Sequence, residues 1–116
     1  MDAFELTALE VRRAATARPY LEFLRSSTMS AGLFTLEAGA VDGQTPHTED
    51  EIYLVTSGRG RIRVGDEVRE VGPGSVVYVA ASVPHRFHDI VERLEILVVF
   101  APAEYSLATD GVAGAA

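Results

Sequence analysis

The spacing of apolar and polar residues changes once along this chain, at Pro19. Before it, the run from Phe4 to Arg18 is built of good helix formers. Thr7 and Glu10 stand at the spacing of a capping box and Pro19 supplies the stop, which predicts a short N-terminal helix. After Pro19 the chain becomes a series of short β-branched and aromatic segments broken by Gly and Pro, the texture of strands and turns. The predicted strands are Tyr20–Arg25, Ala31–Glu37, Ile52–Thr56, Arg61–Val64, Val68–Val71, Val76–Val79, His85–Ile90 and Leu94–Ala101. No second helical pattern lies between them, which excludes parallel strand–helix–strand units. Gly65-Asp66 joins two alternating runs, Arg61-Ile62-Arg63-Val64 and Val68-Arg69-Glu70-Val71, as a hairpin with separate apolar and charged faces. Gly72-Pro73-Gly74 then redirects the chain into Ser75-Val76-Val77-Tyr78-Val79. Strands this short and this closely spaced predict an all-β fold, a jelly roll or small barrel. The organisation read from the chain is a helical segment at residues 1–18, a β-barrel at 19–107, and a loose tail of small residues at 108–116.

Composition narrows the chemistry. At 116 residues and 12.5 kDa there is room for one domain, which buries about two thirds of the surface of its unfolded chain. The absence of Cys removes disulfides, thiolate nucleophiles, Cys-ligated zinc and iron–sulfur clusters, and leaves His, Asp and Glu as the strong metal ligands. The formal charge is −7, and all ten cations are Arg, because the chain contains no Lys. An acidic chain without a basic stripe argues against nucleic acid as a partner. The lack of Lys also excludes Schiff-base chemistry and a Walker-type phosphate loop. Ile96 to Ala103 and Ser75 to Pro84, the longest apolar stretches, are too short to span a bilayer, so no membrane role is expected. The acidic start, with no apolar signal core, points to a cytoplasmic protein.

The three His residues, at 47, 85 and 88, carry the candidate chemistry. Strand alternation through Gln44–Tyr53 puts Thr45, His47, Glu49, Glu51 and Tyr53 on one face, which continues into Val55 and is therefore the inward one. Carboxylates aimed inward beside a His are costly unless a cation, hydrogen bonds or neutralisation satisfies them, and a divalent metal does so directly. Downstream, alternation puts His85 and Phe87 on one face and Arg86 and His88 on the other. Should the strand of His85 lie across from that of His47 and Glu51, two imidazoles and a carboxylate converge at about 2.0–2.2 Å from one ion. Plainer readings stand beside this one: a hydrogen-bonded loop His for His47, a solvated acidic run for Glu49-Asp50-Glu51, and a surface turn residue for His85. His88 reads as exposed or paired with an acid. Tyr53, Val55, Phe87 and Phe100 read as barrel lining, which in a barrel is also pocket wall.

These residues resemble the two motifs of the cupins. The first appears as Gly39-x5-Thr45-x-His47-x3-Glu51-x6-Gly58, and the second as Gly74-x5-Ala80-x-Ser82-x2-His85-x3-Asp89. The resemblance covers residues 39–89. It implies a single jelly-roll barrel (a double-stranded β-helix) behind the N-terminal helix, with one divalent metal ion held by His47, Glu51 and His85. Thr45 stands where the family places its first His, which leaves extra coordination positions open, or costs the site its metal. Gln44 and Glu49 are the candidates to replace the missing ligand, and Glu49 has the better strand parity. Ala80 and Ser82 replace the family's Pro and Gly, which implies a changed loop.

The resemblance implies an enzyme acting on a small oxygenated substrate: a dioxygenase with Fe, or an isomerase or lyase with Mn, Ni or Zn. Glu49 would then be a general base if it is not a ligand, and Tyr53 a hydrogen-bond donor to a developing oxyanion. A non-catalytic small-molecule binding module on the same barrel is the alternative, since the fold does not choose between them. Small cupins of this kind pair through their barrel edges, which implies a homodimer.

Overall fold

The computed structural model describes residues 1–108, in the order α1 (Leu6–Thr16), β1 (Tyr20–Arg25), β2 (Ser30–Leu36), β3 (Asp50–Val64), β4 (Glu67–Val71), β5 (Val76–Val79) and β6 (His85–Ala101). All pairings are antiparallel and run β1-β2-β6-β3-β4, with β5 also on β3. This is the all-β fold predicted, with one short helix. The sheet curls into a jelly roll without closing: among the described residues no ladder joins β1 to β4 or β5. No helix among them is long and apolar enough to cross a membrane. The tail expected from Ala108 onward lies, from residue 109, outside the described residues.

Two pairs of predicted strands are each one continuous strand. Ile52–Thr56 and Arg61–Val64 fuse in β3, and His85–Ile90 and Leu94–Ala101 fuse in β6. What reads in sequence as a turn, Ser57-Gly58-Arg59-Gly60, is a set of bulges where the β3–β6 register slips between Val55 and Arg61. Bulges bend a strand without ending it. Gly58 adopts φ +89, and a Cβ there would lie 2.0 Å from the Arg93 carbonyl oxygen. Only glycine fits that close approach in that conformation.

The bend is what makes the barrel. Glu51 is opposite Val79 on β5, and Val64 is opposite His85 on β6. Along a straight strand Glu51 and Val64 would be roughly 43 Å apart at about 3.3 Å per residue. Yet the short loop from Val79 to His85 connects their partners, so β3 must curl to bring its two ends together. The core fills the inside of that curl: Phe34, Tyr53, Val55, Ile62, Phe87, Leu94, Ile96, Val98 and Phe100 are all at most 2 % exposed.

The helix is shorter than predicted and lacks the capping box. Glu5 is its N-cap and makes no side-chain cap bond, because Thr7 is already inside the helix; Ala17, left-handed at φ 57, ends it before Pro19. Leu9 and Arg13 form its buried side, with Arg13 donating to the Arg18 carbonyl at 3.0 Å.

Gly58→Ala tests the bend. We expect a loss of about 2 kcal/mol or more in urea unfolding, since a Cβ collides with backbone rather than with a movable side chain. The exposed, left-handed Gly39→Ala, with open space around its Cβ, should cost clearly less.

Candidate metal centre

β3 begins at Asp50, and residues 41–49 are an irregular loop. Strand parity therefore orders Glu51, Tyr53 and Val55 inward but does not extend back to Thr45 and Glu49 as expected. His47 is brought in by the loop itself, whose carbonyl accepts the Ser82 N–H at 2.6 Å. That bond ties the His47 loop to the turn leading into His85. Pro84 precedes β6, and His85 enters as its first residue.

His47, Glu51 and His85 converge with their ligand atoms within 4.8 Å of one another, and they are 4 %, 1 % and 6 % exposed. Glu51 Oε1 lies 3.0 Å from His85 Nε2 and 4.0 Å from His47 Nε2. His85 Nδ1 donates to the Val83 carbonyl at 2.8 Å, which fixes the tautomer and turns an Nε2 lone pair toward the carboxylate. Both Glu51 oxygens are buried, and His85 Nε2 and the Tyr53 hydroxyl are the polar groups that lower the cost of charge there. Two acceptors facing each other at this distance need a proton, on His85 or on Glu51, or a metal ion between them. The donor set, two imidazoles and a carboxylate, is one that divalent transition ions accept.

Electrostatics reflect the crowding. Burial pushes the Glu51 carboxyl above its usual range, and the contact with His85 draws it part of the way back. For His85, burial alone favours the neutral ring, but the Glu51 and Val83 contacts outweigh it and raise its pKa overall. The Tyr53 hydroxyl, pushed far up by burial and by the Glu51 charge, stays a neutral donor. It donates to Gln44 Oε1 at 3.2 Å and sits 3.1 Å from His85 Nε2.

The remaining candidates separate. Gln44 joins the cluster: its Nε2 donates to Asp42 at 2.6 Å, which turns Oε1 to within 3.0 Å of His47 Nε2. Thr45 is exposed. Glu49 is buried but faces the C-terminal turn, where its carboxylate accepts from the Thr48 hydroxyl, Tyr105 N–H at 2.8 Å and Leu107 N–H at 2.9 Å. It anchors residues 105–107 and is turned away from the His47 cluster, whereas Gln44 reaches it, because no strand precedes Asp50 to extend the expected parity. Phe100 packs edge-on against His47 at 4.9 Å and Phe87 against Tyr53 at 4.9 Å; with Val55 they are interior packing. None of Tyr53, Val55, Phe87 and Phe100 borders the cavity of about 270 Å³ that His85 and Gln44 line, which opens at the strand ends instead. His88, on the opposite face as predicted, pairs with Asp89 at 3.2 Å.

Two residues escaped sequence reasoning. Asp42 is 6 % exposed and holds both Gln44 and the Phe87 N–H, the latter at 2.9 Å. Glu104 is 4 % exposed, with Oε2 3.6 Å from His47 Nδ1. Asp42-Gly43 reads as an ordinary turn and Glu104 as an ordinary loop acid; nothing local marks either as buried.

Comparison with known proteins follows from this geometry. The family described as Cupin domain matches residues 32–100. An uncharacterized protein of Streptomyces coelicolor, SCO3923, is 55 % identical over 104 residues, covering 90 % of this chain and 99 % of that protein. Among solved structures, TT1209 from Thermus thermophilus superposes with a TM-score of 0.69 at 24 % identity, over 89 % of this chain and 99 % of that one. An RmlC-like cupin with a double-stranded β-helix fold from Methanocaldococcus jannaschii gives 0.65 at 19 %, over 72 % and 78 %.

Glu104 generates a pH prediction. Burial, and then the charges of Glu51, Glu22 and Glu49, push its carboxyl up to about 8 from 4.5. Between those values the folded chain keeps a proton that the unfolded chain releases, so the stability that Glu104 contributes is full below about pH 4.5 and is lost as pH rises toward 8. Urea unfolding of metal-free protein across this window should show Glu104→Gln flattening a slope of up to about 1.4 kcal/mol per pH unit.

Proposed function

Because the chain belongs to the cupin family, we propose that His47, Glu51 and His85 hold one divalent transition-metal ion, and that a small oxygenated molecule binds beside it. The observation that carries this reading is the convergence of three buried groups with their ligand atoms within 4.8 Å of one another, Glu51 lying 3.0 Å from the ring nitrogen of a His whose other nitrogen is already committed. Fe, Mn, Ni and Zn all suit this donor set. When bound, such an ion polarises a carbonyl or hydroxyl of the substrate, or, as iron, supports oxygen chemistry.

The chain's own residues prepare the site. Gln44, steered by Asp42, offers its amide oxygen as a further donor where the family's usual first His is replaced by Thr45. Tyr53, kept neutral and away from the cavity, donates to the Gln44 amide oxygen and lies against His85 Nε2, so it positions these two groups. Phe100 and Phe87 keep water from the inner side. The enzyme reading is therefore a dioxygenase, isomerase or lyase step on a small oxygenated substrate. Ligand capture without turnover is the second reading, favoured by the near-complete burial of all three ligands.

We also propose that two copies of the chain associate. The outward pairs Ile52–Tyr78 and Leu54–Val76 on β3 and β5 support this, with Ile52, Val76 and Tyr78 44 %, 65 % and 59 % exposed. Light scattering at micromolar concentration should give twice the 12.5 kDa chain mass; the chain mass itself would remove the dimer.

Elemental analysis of protein purified without chelator or nickel resin should find near one equivalent of one transition metal. Glu51→Gln and the His47→Ala, His85→Ala double variant should each carry none. No metal in the wild type after reconstitution overturns the metal reading. Turnover that survives metal stripping overturns metal-dependent catalysis, whereas metal and ligand binding with no turnover selects the binding module.

A further inference from the structure

Arg63, near the end of β3, and Arg86, near the start of β6, stand directly opposite each other in the ladder. Like charges in directly opposed positions destabilise a strand pair unless something neutralises them. Among the described residues, Arg25, Arg61 and Arg93 have carboxylate partners at 2.9, 3.5 and 3.2 Å, whereas Arg12, Arg18, Arg59 and Arg69 have no ion pair but are not opposed to another Arg. Arg63 and Arg86 have no ion pair or side-chain hydrogen bond among the described residues, although the chain carries seven more acids than cations. Both line the cavity of about 270 Å³ that Gln44 and His85 also line. That cavity has no acidic residue in its wall. A larger cavity of about 630 Å³ around Arg59 and Arg61 differs in this respect, because Glu70 and Asp89 share its wall.

We propose that Arg63 and Arg86 form a carboxylate clamp at the mouth of the His85 cavity, so that the small molecule taken by this site carries a carboxylate gripped by both guanidiniums. The planar fork of a guanidinium matches a carboxylate with two parallel hydrogen bonds. Phosphate sites usually add backbone N–H groups in a nest. Here Pro46 and Pro84 shape the cavity and have no N–H to give, which favours the planar anion held by side chains alone. The cavity is smaller than the roughly 300 Å³ at which drug-sized pockets begin, and so it suits a compact molecule. The clamp rests on the proposed metal site only for what the far end of that molecule meets. Its carboxylate contact is independent of the metal.

The test follows the Nε–H signals of Arg63 and Arg86 by NMR during titration with acetate, malonate and succinate, with malonamide as the neutral match and inorganic phosphate as the other anion. Both signals should shift with at least one carboxylate and not with malonamide. Arg63→Gln and Arg86→Gln should each weaken that binding by about tenfold or more, Arg63→Lys less, and the distant Arg59→Gln not at all. Repeating the titration on the His47→Ala, His85→Ala variant keeps this result separate from the fate of the metal: Arg-dependent carboxylate binding there supports the clamp even if no metal is ever found. The clamp is overturned if no carboxylate shifts these signals, if the Arg63→Gln, Arg86→Gln double variant binds as the wild type does, or if phosphate binds the pair more tightly than every carboxylate.

Discussion

Everything in this molecule depends on one constraint, the requirement that β3 curl far enough for a short loop to join the strands paired with its two ends. The ladders leave no alternative. β5 pairs with the start of β3 and β6 begins against its end, and only the short loop from Val79 to His85 lies between. Backbone hydrogen bonding thus forces the curl, and the bulges around Gly58 permit it. The apolar inner face then has a volume to fill, and Tyr53, Phe87, Phe100 and the Leu and Ile residues of β6 are buried there.

The same constraint makes the polar cluster. Glu51 is at the start of β3 and His85 is across from its end, so a flat ribbon would hold them far apart; once curled, they are 3.0 Å apart. The Ser82 N–H bond to the His47 carbonyl pulls the third member onto the same point. Burial sets the electrostatics. Glu51, Glu104 and Tyr53 are all pushed toward their neutral forms by loss of water, and the imidazoles and the Gln44 amide are the groups close enough to compensate. A centre in which acceptors outnumber donors is one whose missing partner is positive.

The outer rim reads in the same terms with the signs reversed. Where the end of β3 meets the start of β6, Arg63 and Arg86 are opposed in the ladder and line a cavity that shares His85 with the inner cluster. A buried acceptor-rich centre below a positively charged rim forms a polarised entrance. The proposed carboxylate ligand would enter by its charged end and meet the cluster with the other.

Much of this was legible in one dimension. The change of period at Pro19, the Gly65-Asp66 hairpin and the Gly72-Pro73-Gly74 turn were readable because they rest on local backbone chemistry. His47, Glu51 and His85 were legible because their spacing matches a family pattern, and the inward face of β3 because alternation is a local property of strands. Sequence alone could not decide whether Ser57-Gly58-Arg59-Gly60 ends a strand or bends it, since a glycine at positive φ serves a turn and a bulge equally well. Nor could it decide between Gln44 and Glu49. Parity favoured Glu49, but parity holds only within a strand, and residues 41–49 are held by tertiary bonds to Phe87 and Ser82 instead. Burial of Asp42 and Glu104, and the meeting of Arg63 with Arg86, depend on which distant segments lie across from them. The sequence determined the strands, the turns and the ligand types; the curl of β3 and the tertiary bonds of residues 41–49 decided which side chains share a point in space, because both depend on the whole ladder and on no segment within it.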